Sequence, residues 1–525
     1  MSWNPPAYLE QYPHLFTPIT IRGQVFKNRI ISSPHRGGPD LTRSDYKGYE
    51  IYSETGALYY GSIARGGAAL VNSGQCGADP RYRLSTTFFN LFDASTLQTM
   101  HLVTDAIHVF GAKAGVDINH AGMYATPTNG LDPIGPCDDF LSGDLFHVQK
   151  LKKQGLTRGG GIPVRGMTES DMEQVADYFA SAAVMAKRGG FDVLVIHAGH
   201  GWLLGQFLSP VLNKRTDQYG GCVENRVKFP TLVLERIRQA VGNDMVILMR
   251  YSANELVPGG PSMDEAVRAI QLLEDKIDIV QCSVGIRSGY ESLVITQPTH
   301  YIKPACNAYL AQEMKKHVKI PVDTVGAIND PVLAESLLRD GVSDFVSMAR
   351  SFIADPDWVE KVRSGHADDI RPCVRCLRCL NPDYTGDSRC TVNPQKTWFH
   401  MEHALVRPTV KKKRVAVIGG GPAGMQAAMK AADRGHDVTL YEKKNALGGL
   451  LTYTDHVAFK EAMARYKNYL IHQMEKRDNI KLALNTTATP ELIKEQAPDS
   501  IIVAIGADFA VPPIAGIHGK NVMTA

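Results

Sequence analysis

Four of the chain's nine cysteines, Cys373, Cys376, Cys379 and Cys390, fall inside one stretch, RPCVRCLRCLNPDYTGDSRC (371–390). Thiols this crowded suit a disulfide knot, a zinc site or an iron–sulfur cluster. Cys76, Cys137, Cys222, Cys282 and Cys306 are scattered, and the start, MSWNPPAYLEQYPHLF, shows no basic segment leading into an apolar one. Nothing points to secretion, a cytoplasmic setting is expected, and a disulfide framework is disfavoured. Structural zinc draws on two separated cysteine pairs, or on cysteine with histidine. Three cysteines in a C-x2-C-x2-C loop with a distant fourth suit the corners of a cubane 4Fe–4S cluster. The neighbouring Arg375 and Arg378 would offset part of the charge of four thiolates.

A second constellation is RVAVIGGGPAGMQAAMKAADRGHDVTLYEK (414–443). An apolar strand runs into Gly419-x-Gly421-x-x-Gly424, an alanine-rich helix follows, and a second strand ends at Glu442. Such glycines let backbone approach a pyrophosphate at a helix N-terminus, and an acid about twenty residues on holds ribose hydroxyls. An incidental glycine turn would lack the flanking strand, helix and acid. Another strand and turn are read in SIIVAIGADFAVPPIAGI (500–517), after which eight residues remain. The chain is therefore expected to hold only the first part of a two-lobed flavin-and-nicotinamide module.

A third set is spread more widely: His35, His120, His197, His200, Arg250 and Arg350. Any one alone reads as a satisfied polar residue. The runs that carry them tie them together. RIISSPH (29–35), AALVNSG (68–74), AGVDINHAG (114–122), FDVLVIHAGHG (191–201), MVILMRYSA (245–253), IDIVQCSVG (277–285), IPVDTVGAI (320–328) and SDFVSMARSF (343–352) are short and β-branched, as buried parallel strands are. Helical patterns lie between several, such as MEQVADYFASAAVMAKRGG (172–190) and VKFPTLVLERIRQAVG (227–242). This alternation predicts an α/β chain with a closed (β/α)8 TIM barrel, whose chemistry sits at the C-terminal strand ends, where all six residues fall. An open doubly wound sheet is the alternative; no glycine-rich turn follows the first strand to support it.

At 525 residues more than one core is expected, and 44% hydrophobic with 21% charged residues fits a soluble globular enzyme. A net charge of +3 gives no argument for nucleic acid, and no apolar run is long enough to span a membrane. The domain reading is a barrel over 1–370, a cysteine segment over 371–400, a linker over 401–413 ending in the solvated Lys411–Lys413, and a partial Rossmann-like dinucleotide-binding domain over 414–525.

Barrel, four-cysteine loop and dinucleotide fold in this order resemble the old yellow enzyme-like flavoproteins of the 2,4-dienoyl-CoA reductase and trimethylamine dehydrogenase group. FKNRIISSPH (26–35) is similar to that family's first-strand motif, HAGHGWLLGQFLSPVLNKRTDQYGGCVENR (197–226) to its most specific one, DFVSMARSFIADP (344–356) to its phosphate strand, and CTVNP (390–394) to the close of its cluster loop. The resemblance implies FMN on the barrel, a 4Fe–4S relay and a second nucleotide, FAD or ADP. Reducing members draw hydride from NAD(P)H and deliver it to an activated C=C bond; amine dehydrogenases run the FMN step in reverse on C–N bonds. The resemblance places Pro34, His35, Ser73, Asp117 and Arg250 at the flavin, and Gly326, Ala327, Ala349 and Arg350 at its phosphate. Arg250 ends the fifth run, where a cation stabilises negative charge on reduced flavin. The phosphate residues end the seventh and eighth runs, the common barrel phosphate site. His197 and His200, three apart, are expected to point at one oxygen and polarise a carbonyl as hydride arrives.

Four departures from the family's pattern bear on the chemistry. Trp202 stands where a proton-donating tyrosine is common, leaving Tyr124, Tyr290 or ordered water as the proton source. Asp117 replaces a usual glutamine, and Arg36 follows SPH where trimethylamine dehydrogenase has PHC and attaches its flavin, so covalent FMN is not expected. CSVGIRSGYES (282–292), after the sixth run, carries Glu291 but not the carboxylate expected of an amine dehydrogenase. The expectation is an FMN-, iron–sulfur- and FAD-dependent reductase of a small α,β-unsaturated carbonyl compound, without nucleic-acid or membrane partners. One rival is an amine dehydrogenase or oxidative N-demethylase, with Trp202 in an aromatic cage. The other is a non-catalytic electron-transfer subunit, which needs no paired histidines. The substrate, the choice of NADH or NADPH, and any homo-oligomer are not legible in the sequence.

Overall fold

The computed structural model describes residues 10–35, 41–44, 50–82, 89–126, 131–142, 146–153, 155, 157–286, 290–380, 389–396, 407–507 and 510–523. The chain divides into two compact units, Met1–Glu402 and His403–Ala525.

In the first unit every run listed above forms a strand: Ile30–Ser32 (β1), Leu70–Gly77 (β2), Lys113–Asn119 (β3), Val193–Ala198 (β4), Val246–Asn254 (β5), Ile279–Val284 (β6), Val322–Val325 (β7) and Phe345–Met348 (β8). Neighbours in sequence pair in parallel from β2 to β8, and β1 pairs with both β8 and β2, which closes the expected barrel. The short strands Phe89–Asn90, Glu50–Tyr52 and Thr42–Ser44 continue the sheet from the end of β2.

Side chains along a strand alternate with period two, and this divides the barrel interior into layers. Val193, Val195, Val246, Leu248, Ile279 and Phe345 form one apolar cluster with Ile21 and Phe26. Those last two come from the hairpin Ile19–Ile21/Gln24–Phe26, whose turn at Arg22 and Gly23 has φ of +47° and +75°, the twist that a two-residue hairpin favours. Phe26 meets Phe345 edge-on at 5.7 Å. Two residues further along the same strands come His197, Arg250, Gln281 and Ser347. The apolar layer carries the packing energy; the polar layer lies toward the end where barrel chemistry is built.

The helices that matter below are Glu169–Arg188 (α1), Leu203–Leu208 (α2), Lys228–Val241 (α3), Arg350–Ala354 (α4) and Pro422–Asp433 (α5). α1 begins three residues before its apolar pattern, because Thr168 and Asp171 form a reciprocal capping box; such a cap is worth about 1 kcal/mol. In the second unit Arg414–Ile418 (β9), Asp437–Tyr441 (β10), Ile480–Ala483 (β11) and Ser500–Val503 (β12) form a parallel sheet in the order β11-β10-β9-β12, with α5 crossing from β9 to β10. Among the described residues no helix is long and apolar enough to cross a membrane.

Candidate active site

Beyond β4 the chain turns sharply. His200 has φ +56° and Gly201 φ +77°, a conformation that costs a non-glycine residue about 1 kcal/mol. The His200 amide donates to Oγ of Ser252 at 2.9 Å, which holds the turn. Nε2 of His197 then lies 2.6 Å from Nδ1 of His200. Nδ1 of His197 lies 3.1 and 3.3 Å from the two carboxylate oxygens of Asp117, and Nε2 of His200 lies 2.8 Å from Oγ of Ser283. The expectation that both rings aim at one oxygen is therefore corrected. The left-handed turn places one imidazole beyond the other, as links in a buried chain Asp117–His197–His200–Ser283. Asp117, expected at the flavin, instead turns both oxygens to His197.

Trp202, 2% exposed, starts α2 with its ring edge-on to His197 at 6.0 Å. Tyr124 packs with Met123, Leu141, Val148, Ile162 and Val164 in a separate apolar cluster. His120, also at a strand end, lies 3.5 Å from the Asp79 carboxylate, away from the histidine pair's hydrogen-bonded chain. Arg36 and the side chain of Tyr290 lie outside the described residues.

Arg250 is the register neighbour of His197. Burial pulls its pKa down, while Asp117 and Asp323 pull it up. Its Nε, with Oγ of Ser33 and Oγ1 of Thr324, is buried without a hydrogen-bond partner among the described residues. Buried polar atoms in native proteins are satisfied, so these residues fit a polar cofactor such as FMN. His35 follows Pro34 beyond β1; its Nδ1 is 2.7 Å from the Ser33 carbonyl and its Nε2 2.7 Å from the Tyr59 hydroxyl. Burial lowers its pKa to about 4, so the ring is neutral. A carbonyl only accepts, so Nδ1 carries the proton and Nε2 accepts from Tyr59. Ser73, expected at the flavin, pairs its hydroxyl with that of Tyr52 at 2.7 Å. Gly326 and Ala327 have φ of +142° and +53°, and Ala349 caps α4 at Arg350.

Cys373, Cys376, Cys379 and Cys390 line one cavity with Arg350, Thr391 and Val392. Burial pushes the thiols of Cys373 and Cys379 up to about 11 and about 12. Among the described residues no three histidine, cysteine or acidic side chains form a group that could hold a single metal ion. Four cysteine thiolates are the donor set that a cubane cluster uses, one to each iron corner.

In the second unit a Cβ on Gly424 would lie 1.8 Å from the Gly419 carbonyl oxygen, and one on Gly419 2.3 Å from that of Ala504. A Cβ on Gly421, the cap of α5, would meet only the Gly449 Cα at 3.9 Å, the open side that a pyrophosphate requires. Glu442, expected to hold ribose, accepts from the amides of Gly420 at 2.7 Å and Lys444 at 2.9 Å. It braces the glycine loop, and each oxygen retains acceptor capacity.

Sequence reasoning passed over four residues of the barrel site. Gln75, one residue beyond the second run, lies 3.0 Å from Nδ1 of His197. Ser283 sits inside the sixth run. Asp323 accepts from Gln281 at 2.6 Å, and burial raises it to about 7. Glu255, just past β5, accepts from Ser209 at 2.8 Å and burial raises it to about 7. A polar residue interrupting a buried β-run was the available signal for Ser283 and Asp323.

Comparison with known proteins agrees with this architecture. Residues 14–369 match the NADH:flavin oxidoreductase / NADH oxidase family and residues 414–495 the FAD dependent oxidoreductase family. The chain is 35% identical to an NADH oxidase of Thermoanaerobacter brockii, over 98% of this chain and 76% of that one. It is similar to the structure of a 2-naphthoyl-CoA reductase in complex with 2-naphthoyl-CoA, with a TM-score of 0.86 and 30% identity over 97% of this chain and 76% of the other. It is also similar to histamine dehydrogenase from Rhizobium sp. 4-9, with a TM-score of 0.83 and 26% identity over 97% and 71%.

Proposed function

Because the chain belongs to the NADH:flavin oxidoreductase / NADH oxidase family and is a flavin-dependent oxidoreductase, we propose that it reduces the C=C bond of an α,β-unsaturated carbonyl compound. NAD(P)H is the donor, and FMN on the barrel, a 4Fe–4S cluster on the four cysteines and FAD or ADP on the second unit are the resident groups. Bound flavin supplies the hydride. Everything else falls to the side chains of this chain.

The observation that carries the reading is the Asp117–His197–His200–Ser283 chain beside Arg250. Hydride arriving at the β-carbon leaves negative charge on the carbonyl oxygen, and the hydroxyl that ends the chain and the neighbouring guanidinium are groups that stabilise such charge. A substrate ammonium requires the opposite lining. The Asp117 carboxylate, which could meet a cation, already accepts from His197. The similar naphthoyl-CoA reductase binds an unsaturated acyl thioester, which makes thioesters the first substrates to try.

The second reading, an amine dehydrogenase or N-demethylase, draws on Trp202 beside His197, where an indole face could hold a methylated ammonium, and on the similarity to histamine dehydrogenase. One experiment separates the two. The photoreduced holoenzyme is mixed anaerobically with enones, enoates and enoyl or aryl thioesters, and the oxidised holoenzyme with secondary and tertiary amines, while flavin absorbance is followed. Reoxidation by an unsaturated carbonyl supports the reductase. Rapid reduction by an amine, with no unsaturated carbonyl reoxidising the enzyme, overturns it.

A further inference from the structure

We propose that Asp117 makes the His197–His200 pair a proton store that discharges through the Ser283 hydroxyl, replacing the tyrosine donor whose place Trp202 takes. The inference deepens the reductase reading and rests on it for the identity of the proton's acceptor.

The direction of each hydrogen bond follows from what each atom is able to do. Nδ1 of His197 lies between the Asp117 carboxylate, which only accepts, and the side-chain amide of Gln75 at 3.0 Å, which presents Oε1 as readily as Nε2, so Nδ1 carries the proton and donates to Asp117. Nε2 of His197 is then the acceptor, and Nδ1 of His200 donates to it across 2.6 Å. With both rings neutral, Nε2 of His200 accepts from Ser283. Every donor thus points inward to Asp117, the arrangement in which the outermost group is deprived of a proton to give. One added proton changes only the outer link. Nε2 of His200 then carries hydrogen and donates to Ser283, whose own O–H turns away from the pair. The added positive charge sits on two buried rings beside a buried carboxylate, the partner that makes a buried imidazolium tolerable.

Among the described residues, the other charged groups that bear on the pair are Arg250, across from His197 on β5, and Asp323, whose field reaches Arg250. Arg250 opposes protonation of the pair and Asp323 weakens that opposition. Gln75, Ser252 and Ser283 are neutral. Asp117 is therefore the group in contact that favours the loaded state.

The transfer balances. With bound flavin as the hydride source, the Ser283 O–H bond would break and a C–H bond form at the α-carbon as the β-carbon receives hydride. Ser283 takes the Nε2 proton of His200, which leaves the pair neutral, and solvent water reloads it. Indole N–H is far too weak an acid to compete. In this role Ser283 is the catalytic residue, and Asp117 and His197 are positioning residues.

The test uses the purified holoenzyme with ¹⁵N-labelled histidine, in the wild type and in Asp117→Asn and Ser283→Ala, both close to isosteric. In the NMR titration the pair should take up its proton about one pH unit lower in Asp117→Asn than in the wild type, the loss expected for one contacting carboxylate. In Ser283→Ala that titration should stay in place. Single-turnover reoxidation of reduced enzyme by an unsaturated carbonyl should slow about a hundredfold in Ser283→Ala, and its solvent deuterium isotope effect should change. An unmoved titration in Asp117→Asn, or an unchanged rate and isotope effect in Ser283→Ala, overturns the store. Failure of every unsaturated carbonyl to reoxidise the wild type strikes at the reductase reading instead, and the titration still decides whether Asp117 loads the pair.

Discussion

Oδ2 of Asp323 accepts a hydrogen bond from Oγ of Ser347 at 2.6 Å in the buried interior of the barrel. Gln281 supplies a second at 2.6 Å, yet burial still raises the carboxyl to about 7 against the pull of both bonds and of Arg250. A carboxyl raised on folding contributes stability that is fully present below its unfolded pKa and is lost as pH rises through its folded one. Asp323→Asn removes that loss. Its stabilisation relative to the wild type should grow between about pH 5 and about pH 8 toward about 2–4 kcal/mol. Thermal unfolding at the two pH values checks this, and an equal difference in Tm at both would show that Asp323 does not titrate in that window.

The same residue shows where the sequence was legible and where it was not. β-branched runs bounded by glycine and polar residues mark buried strands by local pattern alone, and all eight barrel strands followed. Asp323 inside such a run is visible as an interruption, but its partners are 42 and 24 residues away and become neighbours only through sheet order. The contact of Asp117 with His197 arises in the same way, because Val195 pairs with Asp117 across β4 and β3. Spacing placed His197 and His200 on one turn, whereas the φ of +56° that makes them bond each other is set by Ser252 from β5. The strands Asp139–Leu141 and Ile162–Gly166 were missed because they are only three and five residues long; Ile162 and Val164 alternate into the apolar cluster around Tyr124, and the pairing of the two strands is antiparallel.

The cysteine cavity gives a prediction with a direct chemical readout. Protein purified without oxygen should carry about four irons per chain and absorb broadly in the visible blue. Cys376 is exposed, with Sγ 3.1 Å from Oγ1 of Thr391, so Cys376→Ala should fold normally, lose most of the iron and retain FMN. Stoichiometric zinc in the wild type with no iron would falsify the assignment.

The glycine loop separates the two nucleotides. With the Gly419 carbonyl 1.8 Å from where its Cβ would stand, Gly424→Ala has backbone, not a mobile side chain, to displace. It should abolish binding of the second nucleotide, and Glu442→Ala should weaken it by removing the acceptor of the Gly420 amide. Barrel FMN should stay near full occupancy in both. Chromatography of the nucleotides released on denaturation checks this; loss of FMN with retention of FAD or ADP would reverse the domain assignment.

Trp202 tests the direction of the chemistry. Its ring is buried against His197, and its indole N–H is not a practical acid. If the proton comes from elsewhere, removing that N–H costs little, and Trp202→Phe should retain enone turnover to within about threefold after correction for stability, since a buried large-to-smaller change costs about 1–3 kcal/mol of folding free energy. Trp202→Tyr should preserve or raise turnover, because a phenol with pKa near about 10 adds a second donor in the wall of the site. An amine dehydrogenase predicts a different pattern. There the indole face binds a methylated ammonium, so both substitutions should raise the KM for tertiary amines while enones remain inert. Steady-state kinetics of the three proteins on one enone and one tertiary amine distinguishes the cases. A loss of about a hundredfold on the enone in both variants would mean that the indole itself acts in proton delivery, and the acid would then have to be sought at Trp202 and not along the histidine pair.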